Sequence, residues 1–129
     1  MRRRFDGNHP ATADDGTKIA YAVTGTGPPL IRAPHFPTHL ELEWSDPFGR
    51  PLIDELSQYR TLIRFDQRGG GLSDLDVDDF SAHRYARDLL AVADTLGLDR
   101  FALFGSSSGG MIAVEAAAHA PERVTQVIT

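Results

Sequence analysis

Apolar residues in this chain recur with two periods, and the two alternate in blocks. Residues 17–24 place Ile19, Tyr21 and Val23 against polar or small neighbours, the period of a half-buried strand. Asp15 and Gly16 before them are a turn signal, so residues 11–15 are expected to fold back as an antiparallel hairpin at a sheet edge. Leu30-Ile31 begins a short buried strand, residues 61–65 read as the next strand, and the apolar run at residues 101–104 is long enough for one more buried strand. Helical spacing fills the gaps. Asp46-Pro47 fits a helix start, with Leu52, Ile53 and Leu56 as one apolar face running up to Tyr59. Ser81 is placed to cap a second helix, whose core stripe is Tyr85, Leu89, Val92 and Leu96 and which Gly97 ends. An Ala-rich third helix closes at Pro121; Met111, Ile112 and Val114 are expected to pack it on the sheet, and Ala113, Ala116, Ala117 and Ala120 allow close approach. Residues 124–128 read as a last strand.

Composition narrows the function classes. The chain has 129 residues, enough for one domain with a real core. A net charge of -5 leaves no footprint for nucleic acid or an anionic membrane, and neither is expected as a partner. With no cysteine, disulfides, thiolate catalysis and Cys-ligated zinc are excluded. Arg2, Arg3 and Arg4 could open a signal peptide, but Asp6, Asn8, His9 and Pro10 stand where its apolar segment would lie. No apolar run approaches membrane-spanning length, and a cytoplasmic location is expected.

Chemistry concentrates at residues 105–109. Gly105-Ser106-Ser107-Ser108-Gly109 fits G-x-S-x-G, with an apolar strand before it and a helix after it, the context of a nucleophile elbow centred on Ser107. A serine on so sharp a turn needs neighbours without bulk, which Gly105, Gly109 and Gly110 supply. Other clusters read as structural. His35 and His39, with Glu41 and Glu43 nearby, invite a metal, but Pro37 between them opposes the helical spacing that two ligating histidines require. Asp74, Asp76, Asp78 and Asp79 fail the calcium-loop pattern, which needs Gly where Asp79 stands and Glu where Tyr85 stands. No metal and no cofactor is predicted.

Together the elbow and a second turn resemble the α/β-hydrolase family. That second turn, Asp66-Gln67-Arg68-Gly69-Gly70-Gly71-Leu72-Ser73, is similar to the family's Asp-x-Arg-Gly-x-Gly-x-Ser, and it lacks the Lys-Ser/Thr of a phosphate loop. The resemblance implies an α/β fold of mostly parallel strands with helices on both faces and an antiparallel N-terminal hairpin. It also implies that residues 1–129 are a single partial domain, the N-terminal part of the family fold, with the strands after the elbow largely absent. Residue by residue, Ser107 would be the nucleophile and the Ser108 amide one oxyanion donor. Aligned on Pro37, the Phe36 amide would be the other, although His35 stands where the family's common loop carries Gly. Asp66 and Arg68 would fix their turn by hydrogen bonds. Relatives acting on haloalkanes or epoxides carry Asp at the nucleophile position, and Ser107 argues against both. The resemblance implies a serine hydrolase, first of all on a small-molecule carboxylic ester, while Ser alone leaves peptidase, thioesterase, carbon-carbon hydrolase and peroxidase-like activities open. Residues 33–44 are also similar to hydrolase-like domains fused to adenylate cyclase or LuxR-type regulators, with no such module in this chain.

A serine hydroxyl needs a base, and in this family the acid and the His follow the Ser along the chain. The one downstream histidine, His119, lies about 18 Å along the elbow helix from Ser107 at helical rise. The acid and base are therefore expected to be missing from this chain, with His35, His39 and His83 as the histidines that the rim of the sheet could gather. Two alternatives stand beside the enzyme: a non-catalytic, ligand-sensing or regulatory domain, and an inactive truncated fragment. Val124, Val127 and Ile128, on an uncovered last strand, predict self-association through that sheet edge.

Overall fold

The computed structural model of the chain describes residues 3–5 and 9–129. The expected runs become strands. A six-stranded sheet is built from β1 (Arg3–Phe5), β4 (Tyr21–Thr24), β5 (Pro29–Ala33), β6 (Thr61–Phe65), β7 (Phe101–Gly105) and β8 (Val124–Ile128). Its order is β1-β4-β6-β5-β7-β8, antiparallel on the β1-β4-β6 side and parallel from β6 to β8. Two further short strands, β2 (Ala11–Thr12) and β3 (Lys18–Ile19), form a separate antiparallel hairpin.

That hairpin refines the expectation for residues 17–24, which do not make one continuous strand. At Ala20 the ladder is interrupted because the N–H donates to Ser73 Oγ at 2.9 Å and the carbonyl accepts from the Asp66 N–H at 3.1 Å. The first half therefore pairs with β2 and the second with β6.

Side chains alternate across the parallel strands, so each face has its own helices. Ile31, Ile63 and Leu103 pack with α3 (Ala82–Thr95) and α4 (Ser108–His119) through Leu89, Val92, Ile112, Ala113 and Ala116. On the other face Leu30, Leu62 and Ala102 meet Ile53 and Leu56 of α2 (Arg50–Ser57) and Trp44 of α1 (Leu40–Ser45). Ser81 caps α3 by accepting from the Arg84 N–H at 3.1 Å. Among the described residues no helix is long and apolar enough to cross a membrane.

Three details depart from the periodicity. Helix α2 starts at Arg50 rather than at Asp46-Pro47, because the Asp46 carboxylate accepts from the Phe48 and Gly49 amides and holds a turn there. Leu52 consequently lies outside, and Ser57 takes the inner place, hydrogen-bonded to Thr24 Oγ1 at 2.7 Å. On α4, Met111 and Val114 are 67% and 56% exposed; the inner face is Gly109, Ile112, Ala113 and Ala116. An Ala-rich helix carries little amphipathic contrast, so its buried side is chosen by how closely it can approach the sheet. Helix α1 was not foreseen, and it begins where His39 Nδ1 accepts from the Leu42 N–H at 3.2 Å.

The α1 face also buries charge. Arg32 and Arg64 are register partners on β5 and β6, and both are buried. Glu43 of α1 lies between them, 2.7 Å from Arg32 and 3.4 Å from Arg64, while Arg32 Nε and Arg64 Nε and Nη2 have no partner among the described residues. Burial, followed by repulsion from Arg32, brings the Arg64 guanidinium down to about 10.

Candidate active site

The chain runs from β5 to β6 on one side of β5 and then to β7 on the other, so the loops after these strands part at the β5/β7 crevice, where open α/β sheets place ligands. Ala33 and Gly105 are register partners at the ends of β5 and β7, and residues 106–107 leave the sheet from that point. Ser107 has φ 55° and ψ -127° and is the one non-glycine residue of positive φ among those described. Such a conformation costs about 1–3 kcal/mol and persists only where its surroundings over-determine it. Its side chain is exposed on the rim.

The surroundings that enforce this turn are backbone. A Cβ on Gly105 would collide with the Gly109 carbonyl, and one on Gly109 would lie 2.6 Å from the Ala33 carbonyl oxygen. Glycine at both places lets α4 start directly over the strand it follows. The Ser108 amide then stands in the first turn of α4, where a helix leaves its N–H groups without internal acceptors and presents partial positive charge.

Across the crevice, the Phe36 N–H donates to Ser108 Oγ at 3.3 Å. The β5 loop thus directs an amide at the start of α4. Pro34 and a cis Phe36-Pro37 bond frame that loop. Beside it lies a mainly apolar cavity of about 310 Å³, lined by Phe36, Ser108, Gln67, Tyr85, Met111 and Ile112 among others. Burial pushes the Tyr85 phenol up.

Two side chains from the β6 turn hold these loops. Asp66, fully buried, accepts from Thr38 Oγ1 at 2.8 Å, from the Leu40 N–H at 3.1 Å and from the Leu72 N–H at 2.9 Å, which ties the β5 loop to the β6 loop. Arg68 grips two carboxylates. It reaches Asp88 of α3 at 2.7 and 2.9 Å and Asp15 of the β2-β3 turn at 2.8 and 3.1 Å. These bonds, the one to Asp88 foremost, raise the Arg68 guanidinium above its ordinary range, and the Arg68 hydrogen bond holds the Asp15 carboxyl well below the usual carboxylate range. Arg84 adds contacts to Asp88 and Asp14.

Of the histidines considered for the rim, His39 is occupied as the cap of α1 and His35 is exposed on the β5 loop. His83 is engaged with His119, Nδ1 to Nε2 at 3.0 Å. None of them hydrogen-bonds the Ser107 hydroxyl, which also caps no amide of α4.

Comparison with known proteins agrees with this architecture. Residues 28–129 match the family model described as alpha/beta hydrolase fold. A 2-(acetamidomethylene)succinate hydrolase of Mesorhizobium japonicum is 40% identical over 78 residues, 60% of this chain and 28% of that protein. Among solved structures, the epoxide hydrolase CorEH superposes with a TM-score of 0.82 at 26% identity, over 98% of this chain and 41% of that one. Est816, described as an N-acyl homoserine lactone degrading enzyme, gives a TM-score of 0.71 at 32% identity, over 92% of this chain and 43% of that one. The chain spans less than half the length of each.

Proposed function

Because the chain belongs to the alpha/beta hydrolase fold family, we propose that it carries the nucleophile and oxyanion half of a serine hydrolase acting on carboxylic esters. The observation that carries this reading is the strained, outward-facing Ser107 set opposite an inward-aimed Phe36 amide. Ser107 Oγ attacks the ester carbonyl carbon, and its proton passes to a base as the C–O double bond opens. Negative charge then develops on the carbonyl oxygen, where the Phe36 and Ser108 N–H groups donate to it and the N-terminus of α4 adds a favourable dipole. Collapse expels the alcohol and leaves an acyl-enzyme that water hydrolyses.

Fixed amide donors aimed at that oxygen typically contribute about 2.7–4 kcal/mol each to the barrier reduction. The base and its acid partner come, on this proposal, from outside the described residues, since none of His35, His39, His83 and His119 hydrogen-bonds Ser107. The cavity between Phe36 and Ser108 receives an apolar part of the substrate. The likeness to a lactone-degrading enzyme favours an ester carbonyl, and the Ser at residue 107 distinguishes this reading from epoxide opening by a carboxylate nucleophile. A cytoplasmic location is part of the proposal.

The test is covalent labelling by a fluorophosphonate in the longest form of the chain that its gene encodes. Label on Ser107, absent in Ser107→Ala, is expected together with hydrolysis of short p-nitrophenyl esters. An unlabelled Ser107 in that form would overturn the enzyme reading. The Ser107 hydroxyl has no hydrogen-bond partner among the described residues, which favours a second reading, a hydrolase-like regulatory domain that binds a small molecule without turning it over. That reading requires binding in the cavity to survive Ser107→Ala with no turnover by either form.

A further inference from the structure

Away from the elbow, α3 and α4 bring three metal-binding side chains to one point. His83 lies in the first turn of α3, and Glu115 and His119 are one helical turn apart on α4. His83 Nδ1 is 3.0 Å from His119 Nε2, His119 Nε2 is 3.3 Å from Glu115 Oε1, and His83 Nδ1 is 4.0 Å from the same Glu115 oxygen. Helical rise puts Glu115 and His119 about 12 and 18 Å along the α4 axis from Ser107, so the cluster is separate from the candidate active site.

Protons alone serve this arrangement poorly. His119 Nε2 carries at most one proton, which can be directed at Glu115 or at His83 but not straight at both. Protonating both rings would set two N–H groups against each other across 3.0 Å. A divalent cation satisfies all three lone-pair atoms at once. Tetrahedral zinc, with ligands at about 2.0–2.2 Å, holds neighbouring donor atoms about 3.3–3.6 Å apart, and the three observed separations straddle that range.

We propose that His83, Glu115 and His119 form a binding site for a divalent transition ion of the zinc class, with water in the fourth position. Two imidazoles and one carboxylate select such an ion over magnesium or calcium, which prefer all-oxygen ligands. All three side chains are at least a third exposed, so the ion has open access from solvent. Bound there, it cross-links α3 to α4, the two helices that cover one face of the sheet, and it stabilises the folded chain because the unfolded chain does not hold the three ligands together.

Calorimetric titration of the chelator-treated chain with Zn²⁺ tests this, alongside thermal melting. One ion per chain and a rise in melting temperature are expected, with no comparable response to Mg²⁺. His83→Ala and His119→Ala should each weaken binding roughly tenfold or more, since even outer-shell changes cost 10–100-fold. Both sites are exposed, and unchanged far-ultraviolet circular dichroism would show that the variants fold. His35→Ala should bind as the unsubstituted chain does. Absence of saturable Zn²⁺ binding, or binding that survives the His83→Ala/His119→Ala double variant, would overturn the site.

Discussion

Arg68 and Asp88, twenty residues apart in sequence and each with a side chain only 1% exposed, are joined by two hydrogen bonds of 2.7 and 2.9 Å. One bond runs from Nε and the other from Nη2, so the guanidinium presents a flat fork to both oxygens. The pair locks the turn after β6 onto α3. Removing one member of a buried pair leaves the other charge stranded, which typically costs about 3–5 kcal/mol. Asp88→Ala should fall in that range in urea unfolding, even though Asp15 still engages the far edge of Arg68. A loss below about 1 kcal/mol would mean that Asp15 alone satisfies the arginine.

Acid should weaken the chain through the same arginine. The Asp15 carboxyl titrates lower in the folded state than its unfolded value of about 3.9, because Arg68 hydrogen-bonds its charged form. A depressed acid contributes stability that is present above the unfolded value and is lost as pH falls below it. Urea midpoints should therefore drop below about pH 4, and Asp15→Asn should show a shallower drop over that range. The side chain is partly open to solvent, so the effect is a change of slope rather than a large energy. Identical pH profiles for the two proteins would refute it.

At the elbow, stability and reactivity should separate. Glycine adopts the φ and ψ of Ser107 without the Cβ penalty, so Ser107→Gly should stabilise the chain by about 1 kcal/mol after the entropy of a new glycine is deducted. Ser107→Ala keeps the strain and should leave stability nearly unchanged. Equal stability of the two variants, measured by chemical denaturation, would show that the turn is relaxed.

The last strand predicts association. Among the described residues β8 has no neighbour on its outer edge, and Val127 and Ile128 are 39% and 41% exposed. Sedimentation should show concentration-dependent self-association, reduced in a Val127→Lys/Ile128→Lys variant, because charge on an open edge blocks strand pairing. A monomer at all concentrations would count against it.

Much of this architecture was legible in the sequence, for physical reasons. Residues 101–109 pass from a buried apolar run through glycines to an Ala-rich helix, and that order alone specifies strand, tight turn and helix. Asp66 and Arg68 sit in a glycine-rich turn whose polar members need partners. The partners themselves were hidden: Asp88 reads as an ordinary polar position of α3, yet it faces inward because Arg68 arrives there from a distant loop. Helix α1 depends on an imidazole cap, a residue type that rarely announces a helix start. The proximity of His83 to His119 depends on how α3 crosses α4, which no local periodicity encodes.

The contact between the Phe36 N–H and Ser108 Oγ has a consequence for selectivity. That amide is already engaged, at a long 3.3 Å, by a tethered neutral hydroxyl, so on the proposed mechanism an arriving substrate oxygen would have to outcompete it. A weakly polarised ground-state carbonyl gains little from the exchange, whereas an oxygen bearing full negative charge gains a much stronger bond. The side chain at residue 108 would thus act as a placeholder that yields most readily when bond-making is under way.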